Sequence, residues 1–433
     1  MVWQLLKNRE RLSSAVPALD CDWLDRCMDA AIGSVMPSSA LMRFALGREG
    51  LRLKERLVEK AGRLLVFGAG KASAEFSRAF SGCMVPDIPS MLIGPEEVSD
   101  GPLTVLRGAH PLPDAATLRN TNRVVAEAQA SWDDATVVFL LSGGASSMFS
   151  SPEAPAGLEE ARNITSALLS AGVPISDLNC VRRHISCVKG GRFAASLHPR
   201  EVITLSISDV PTGRPYDIGS GPTVADPTTC LDAADILERA GASTAAGSGV
   251  MRALLQGKLE SVKEGDPRLS GIMHRSIACN RDAVEHFAAA SMSQGVATVI
   301  SGRTISGGPE DAASSLVSEG RGALRGNGVL VAGGEITVRA PGNSPGGRCQ
   351  HFAMHASSLL REGELVIAFG TDGRDGNSMF AGAVGSPNFE GADEFLDRFE
   401  SGRYAESAGA CIETGPTGTN VADIYAYIRT GMS

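Results

Sequence analysis

Aromatic residues are scarce in this 433-residue chain, at 5%, and no apolar run approaches the roughly 18 residues needed to span a bilayer. The opening Met1-Val2-Trp3-Gln4-Leu5-Leu6 meets Lys7, Arg9, Glu10 and Arg11 too soon for a secretory leader. The nine cysteines contain no C-x-x-C pair, which argues against a zinc ribbon or disulfide scaffold and for a reducing cytoplasm. No half is strongly basic: 40 Lys and Arg stand against 49 Asp and Glu, a net charge of −9, so a nucleic-acid partner is not expected. The zinc-hydrolase signature H-E-x-x-H is missing too.

Glycine, by contrast, is abundant at 50 residues, which suits an α/β protein whose loops approach small ligands closely. A chain of this length exceeds most single cores, so two domains are expected. Residues 1–60 read as amphipathic helices, with Leu24, Met28, Ala31 and Ile32 at helical spacing, packed over a first sheet. Strand, loop and helix then alternate, with buried-strand runs at Leu64-Leu65-Val66-Phe67, at residues 135–141 and at residues 202–207. Such runs indicate mostly parallel sheets covered by helices on both faces, an α/β Rossmann-like class. The polar stretch Lys258 to Arg268 reads as a linker, dividing the chain into domains 1–265 and 266–433. Strands at 276–278, 297–300, 328–332 and 365–369 rebuild a second sheet beyond it.

Ligands of parallel sheets sit beyond the carboxyl ends of the strands, so the residues just after each strand are the ones to question. Gly68-Ala69-Gly70-Lys71-Ala72-Ser73 opens a helix, where amide groups and the helix dipole attract phosphate or carboxylate. It is not a Walker A loop, because Leu65 stands where the first glycine should be, and Ser73 replaces the last glycine of the dinucleotide fingerprint. A tight turn with an exposed lysine is the plainer reading. Ser142-Gly143-Gly144 is a second candidate cradle, or a helix cap only.

Arg182, Arg183, Lys189 and Arg192, with His184, form a local cationic cluster in an acidic chain and suggest an anionic substrate. Asp209 offers a carboxylate to a metal or a substrate hydroxyl. Further on come Gly333-Gly334-Glu335, Gly346-Gly347-Arg348, Gly370-Thr371-Asp372-Gly373-Arg374-Asp375-Gly376 and Gly415 to Asn420. Anion cradles, cations and carboxylates suit phosphoryl transfer, which depends on positioning and on neutralising charge. Asp209, Glu335, Asp372 and Asp375 are all candidate Mg²⁺ ligands, since that ion takes hard oxygen donors.

Taken in order, these segments, together with His110-Pro111-Leu112-Pro113-Asp114, Lys189-Gly190-Gly191-Arg192, Ser208-Asp209-Val210 and Ser220-Gly221-Pro222-Thr223, resemble the motifs of class II glycerate kinases from about residue 60 onward. The resemblance implies a larger N-terminal α/β domain, a smaller C-terminal MOFRL-like domain and an active site in the cleft between them. It implies phosphorylation of D-glycerate at the 2-hydroxyl with ATP and Mg²⁺. It further implies Lys71, Arg348 and Asp209 as catalytic residues, and Gly68, Gly70, Ser142, Gly143, Gly144, Lys189 and Arg192 as holding the acid or phosphates. Gly333, Gly334, Glu335, Thr371, Asp372 and Asn420 would serve the nucleotide, and Asp209 and Asp372 the metal. The partners implied are small molecules, with no nucleic acid and no membrane; a homodimer is compatible with the sequence, which does not fix the oligomeric state.

The chain also departs from that family near the site. Thr212-Gly213-Arg214 stands where the family has Gly-Asp, Cys349-Gln350-His351 where it has Asn-Gln-Glu, and Asn377-Ser378-Met379-Phe380 where it has Pro-Thr-Asp-Ala. Two other readings therefore stay open. One is an NAD(P)H-dependent hydroxypyruvate reductase, a label some relatives carry; the other is a non-catalytic relative that binds small acids.

Overall fold

The computed structural model describes residues 5–44, 46–47, 50–53, 56–58, 64–80, 90–99, 101–210, 213–338, 341, 344–389 and 391–430. The chain divides into two compact units, one of residues 37–277 and one of residues 1–36 with 278–433. Each is an α/β body built on a six-stranded sheet.

In the 37–277 unit the strands run in the order 104–107, 90–94, 64–69, 136–141, 201–208 and 272–279. The first five pair in parallel. Chain order reverses between Leu64–Ala69 and Thr136–Leu141: from the first of these the chain builds outward to one edge, then returns and builds toward the other. That reversal is the point at which open α/β sheets receive ligands. Apolar runs bury the central strands Leu64–Ala69, Thr136–Leu141 and Glu201–Ser208 almost completely, and Phe139, Phe149 and Phe193 close the core with ring centroids 4.9 to 5.3 Å apart. A helical lobe of residues 158–170, 175–184, 230–239 and 243–255 packs around Ile164, Leu168, Val181 and Leu237.

Three sequence expectations change here. The stretch 258–268 is not a free linker, because Leu259 and Val262 are buried and the Val262 amide donates to the Gly190 carbonyl at 3.0 Å. The division falls after Ile277 instead. The helix Cys21–Val35 belongs to the unit that does not hold the first sheet: it packs there on the helix Asn280–Ser293, with Trp23 edge-on to Phe287 at 5.7 Å and its indole N–H donating to Ser291 Oγ at 3.1 Å. Buried aromatic and aliphatic side chains along one face of that helix fix the choice. Finally, the described residues 46–47, 50–53 and 56–58 are not helical but pair as antiparallel strands. Gly47 and Gly50 supply turn chemistry there, and Leu51-Arg52-Leu53 alternates with the period of a strand.

The second sheet runs 298–300, 328–334, 423–429, 364–370, 382–385 and 411–412. It is mixed rather than wholly parallel: the last long strand, Asp423–Arg429, inserts antiparallel between Gly328–Gly334 and Glu364–Gly370. Those two flanking strands therefore still share a direction. The register sets Asp423 between Gly334 and Gly370, at the carboxyl ends of both neighbours. Among the described residues, no helix is long and apolar enough to cross a membrane.

Candidate active site

In the 37–277 unit the two loops at the chain reversal are stitched together. Gly70 N–H donates to Ile93 O at 2.9 Å, Lys71 N–H to Gly143 O at 2.8 Å, and Ala72 N–H to Ser142 Oγ at 3.1 Å. These bonds use the amides that the sequence suggests for an anion cradle at residues 68–73. What remains for a ligand there is the exposed Lys71 side chain. The cradle shifts to Gly143 and Gly144, whose amide groups have no protein acceptor among the described residues. Gly144 adopts φ +81°, which a side chain resists, and a β-carbon there would lie 3.2 Å from both Lys71 Cγ and His110 Cδ2. At Gly143 the equivalent atom would lie 2.1 Å from Asp209 Oδ2. Lys71, His110, Gly143, Gly144 and Asp209 thus form one constellation. Burial, then the charges of Lys71 and Arg182, hold the His110 ring below its usual pKa.

The cationic cluster divides by task. Arg183 is fully buried and pairs with Asp226 at 2.8 Å. His184 Nδ1 lies 2.9 Å from the Cys180 carbonyl, and Nε2 lies 3.1 Å from Glu260 Oε1. The Arg192 guanidinium donates to four carbonyls, those of Arg183 at 2.5 Å, Ser186 at 2.7 Å, Leu259 at 2.7 Å and Glu260 at 3.2 Å. Arg192, expected at the substrate, is thus committed to stapling loops. Arg182 and Lys189 line a small cavity with Ser146, Ser147, Ser150 and Ser186.

In the other unit Arg348, at the start of the helix Arg348–Ser357, forms a bidentate pair with Asp423 (Nε to Oδ2 2.6 Å, Nη2 to Oδ1 3.0 Å) and bonds Glu335 through Nη1. The charges of Asp423 and Glu335 outweigh burial and hold the guanidinium firmly protonated. Tyr425 donates its hydroxyl to Asp423 Oδ2 at 2.9 Å. Asp372 borders the same place: a β-carbon on Gly370 would lie 3.2 Å from Asp372 Oδ1 and 3.5 Å from Asp423 Oδ1. Asp375 is buried and accepts the amides of Cys349 at 3.0 Å and Gln350 at 2.7 Å, so it caps the helix; burial pushes its carboxyl up to about 7. That engagement makes Asp375 a poor metal ligand, whereas Glu335 and Asp372 stay half-exposed.

Packing accounts for Gly333 and Gly334, since a β-carbon would collide with Asn280 Oδ1 at 1.6 Å or Ile305 O at 2.0 Å. Thr371 and Asn420 steady the turn into Asp423: Thr371 Oγ1 donates to Ala422 O at 2.7 Å, and Asn420 Oδ1 accepts the Ala422 amide at 3.0 Å. Of the three departures, Thr212 lies outside the described residues, while Gly213 and Arg214 are exposed. His351 is buried against Ser401 and stacks on Phe399 at 5.6 Å. Phe380 packs in a small core with Ala353, Met354, Leu396 and Cys411.

A sheet with its loops gathered at a chain reversal, where a lysine and a carboxylate lie beside two open amides, is an arrangement of α/β enzymes that suits the handling of anionic groups. The model for a domain of unknown function, DUF4147, matches residues 23–255, and that of the MOFRL family matches residues 328–423. A D-glycerate 2-kinase of Thermotoga maritima is 33% identical over 84% of this chain and 89% of its own. A relative in Agrobacterium vitis that carries the provisional name of a hydroxypyruvate reductase is 35% identical over 94% of this chain and 93% of its own. The crystal structure of a glycerate kinase from Thermotoga maritima superposes with a TM-score of 0.79 at 29% identity, covering 94% of this chain and 99% of that one. This chain belongs to the glycerate 2-kinase family.

Proposed function

We propose that this chain transfers the γ-phosphoryl group of ATP to the 2-hydroxyl of D-glycerate, or of a closely similar small hydroxy acid, giving 2-phosphoglycerate and ADP. The observation that carries this reading is the Lys71, Gly143, Gly144 and Asp209 constellation at the chain reversal. A new O–P bond forms from the 2-hydroxyl as the bond to the ADP oxygen breaks, and the hydroxyl proton leaves toward the Asp209 carboxylate. Charge on the transferring group is met by Lys71 and by the amides of Gly143 and Gly144. Arg348 handles nucleotide phosphate. Asp209 and Asp372 are half-exposed carboxylates of the kind Mg²⁺ takes, and the ion would supply further neutralisation of the phosphates. A cytoplasmic setting, where ATP is plentiful, fits the free thiols of all the described cysteines.

The test is ADP release by the purified chain with ATP, Mg²⁺ and a panel of hydroxy acids, beside NADH or NADPH oxidation with hydroxypyruvate. D-glycerate-dependent ADP release supports the proposal; nicotinamide oxidation alone would replace it with the reductase suggested by the Agrobacterium relative's name.

The missing acidic residue at position 213 gives a gain-of-function prediction. Gly213 is exposed at φ +62° with no atom of the described residues within 4 Å of an added β-carbon, and aspartate tolerates the left-handed region better than most residues. Gly213→Asp should raise kcat/KM for D-glycerate several-fold at a stability cost of about 1 kcal/mol. Unchanged kinetics would show that the substrate, rather than the efficiency, has diverged.

A further inference from the structure

Arg182 and Lys189 are the two cations of their cluster not consumed by carboxylates or by several carbonyls. Lys189 is fully buried, and its Nζ donates to the Phe149 carbonyl; Arg182 Nη1 donates to Ser146 Oγ at 3.2 Å. Among the described residues neither forms an ion pair, although their neighbours Arg183 and His184 both do. Two like charges set in a desolvated place without a counter-charge are costly. The cost is visible in both groups: burial takes Arg182 down to about 10, and burial with the Arg182 charge takes Lys189 down to about 7. Four hydroxyls, from Ser146, Ser147, Ser150 and Ser186, complete the lining. The cavity thus lacks only an anion.

We propose that this cavity receives the carboxylate of the hydroxy acid, with Arg182 and Lys189 as the groups that select it. The proposal rests on the phosphoryl-transfer reading and names the part of the substrate held here. Its volume of about 20 Å³ has room for one or two water-sized groups, which fits the two oxygens of a carboxylate better than a phosphate tetrahedron. Direction follows as well. Ser146 and Ser147 of the lining lie in the short helix Ala145–Met148 that Gly144 opens, and Gly144 packs beside Lys71 Cγ, so the cavity adjoins the Lys71 constellation. A three-carbon acid anchored by its carboxylate would then extend its hydroxyls toward the Lys71 and Asp209 end.

Arginine keeps its charge under all ordinary conditions, so of the pair only Lys189 can shed one. Arg182 is the charged group acting on Lys189, and the rest of the lining is neutral serine, proline, alanine, threonine and isoleucine. An arriving anion favours the ammonium form, so binding should draw a proton from solvent. Isothermal calorimetry of D-glycerate without ATP, at pH 8 in two buffers of different ionisation enthalpy, should show uptake approaching one proton per acid bound. Lys189→Met should abolish that uptake and raise KM for D-glycerate about 100-fold, with KM for ATP unchanged, as expected when one member of a buried charged contact is removed. Its melting temperature should hold or rise, since an apolar chain replaces a buried cation. Arg182→Lys should retain part of the affinity and Arg182→Gln very little.

Unaltered glycerate affinity in both Lys189→Met and Arg182→Gln would overturn the assignment. So would inorganic phosphate binding at the same residues together with a raised KM for ATP, which would make the cavity a nucleotide phosphate site. Because acid binding is measured without ATP, a chain that binds glycerate through these residues but releases no ADP would sink the proposed reaction and leave the carboxylate site standing.

Discussion

Lys71→Ala should lower kcat by about a thousand-fold while leaving the melting temperature nearly unchanged. The first half follows from charge. A loose phosphoryl transition state spreads negative charge over its equatorial oxygens, and loss of one well-aimed donor or cation typically costs 10²–10³ in rate. The second half follows from where Lys71 is tied. Its amide, not its side chain, donates to Gly143 O, and the side chain is exposed with its Cγ over Gly144. Truncation removes the ammonium and leaves the loop stitching in place, so surface-like stability effects within about 0.5 kcal/mol are expected. His110 gives an independent readout. Since Lys71 is the largest charged contributor to its lowered pKa, the ring should titrate at higher pH in the variant, which NMR of the imidazole would record. Turnover within tenfold of the parent would remove Lys71 from the transition state.

The central strands of the 37–277 unit, Leu64–Ala69, Thr136–Leu141 and Glu201–Ser208, were legible because they are largely apolar runs, which leave little choice of partner face, whereas the strand Ile272–Cys279, expected in the second sheet, joins this one, and its polar interior carries no such signal. The same signal located the loops at Gly68–Lys71 and Ser142–Gly144. It could not tell which amides would be spent between loops, because that depends on strands distant in sequence lying side by side; Ser142 looks like a ligand group and is instead the acceptor for Ala72. The cationic segment shows the same limit. Arg182 and Arg183 are adjacent and chemically identical, yet helical geometry points one to the cavity and the other to Asp226. No local feature separates them. Asp423 was the main omission. A charged residue heading the buried run Ile424-Tyr425-Ala426-Tyr427-Ile428 was a readable anomaly, since burial of a carboxylate demands a cation. Its partner Arg348 lies 75 residues away, and only the insertion of the last strand between two others brings them together. The N-terminal helices misled for a related reason: an apolar face announces that it will be covered, and says nothing of which unit covers it.

Arg348→Ala should fail differently from Lys71→Ala, losing stability as well as activity. Asp423 is 1% exposed and takes both arms of the guanidinium; without them it keeps only neutral side-chain donors such as the Tyr425 hydroxyl among the described residues. Breaking a buried ion pair from one side typically costs about 3–5 kcal/mol, because the abandoned charge stays desolvated. Pairing Arg348→Met with Asp423→Asn should recover most of that loss by removing the orphaned charge, yet turnover should stay absent, which separates holding the fold from handling phosphate. The deficit should also depend on pH. Arg348 lowers the pKa of Asp375, whose carboxyl already lies near 7, so without the arginine Asp375 will titrate higher still. A carboxyl raised above its unfolded value stabilises the fold fully below about pH 4 and loses that contribution as pH climbs through the folded value. The stability gap between parent and Arg348→Ala should accordingly stay nearly constant from pH 5 to about pH 7 and widen above it in thermal melts. A gap that never widens would mean that water reaches Asp375 and Asp423 freely once the arginine is gone, and that the pair is held together more by shape than by charge.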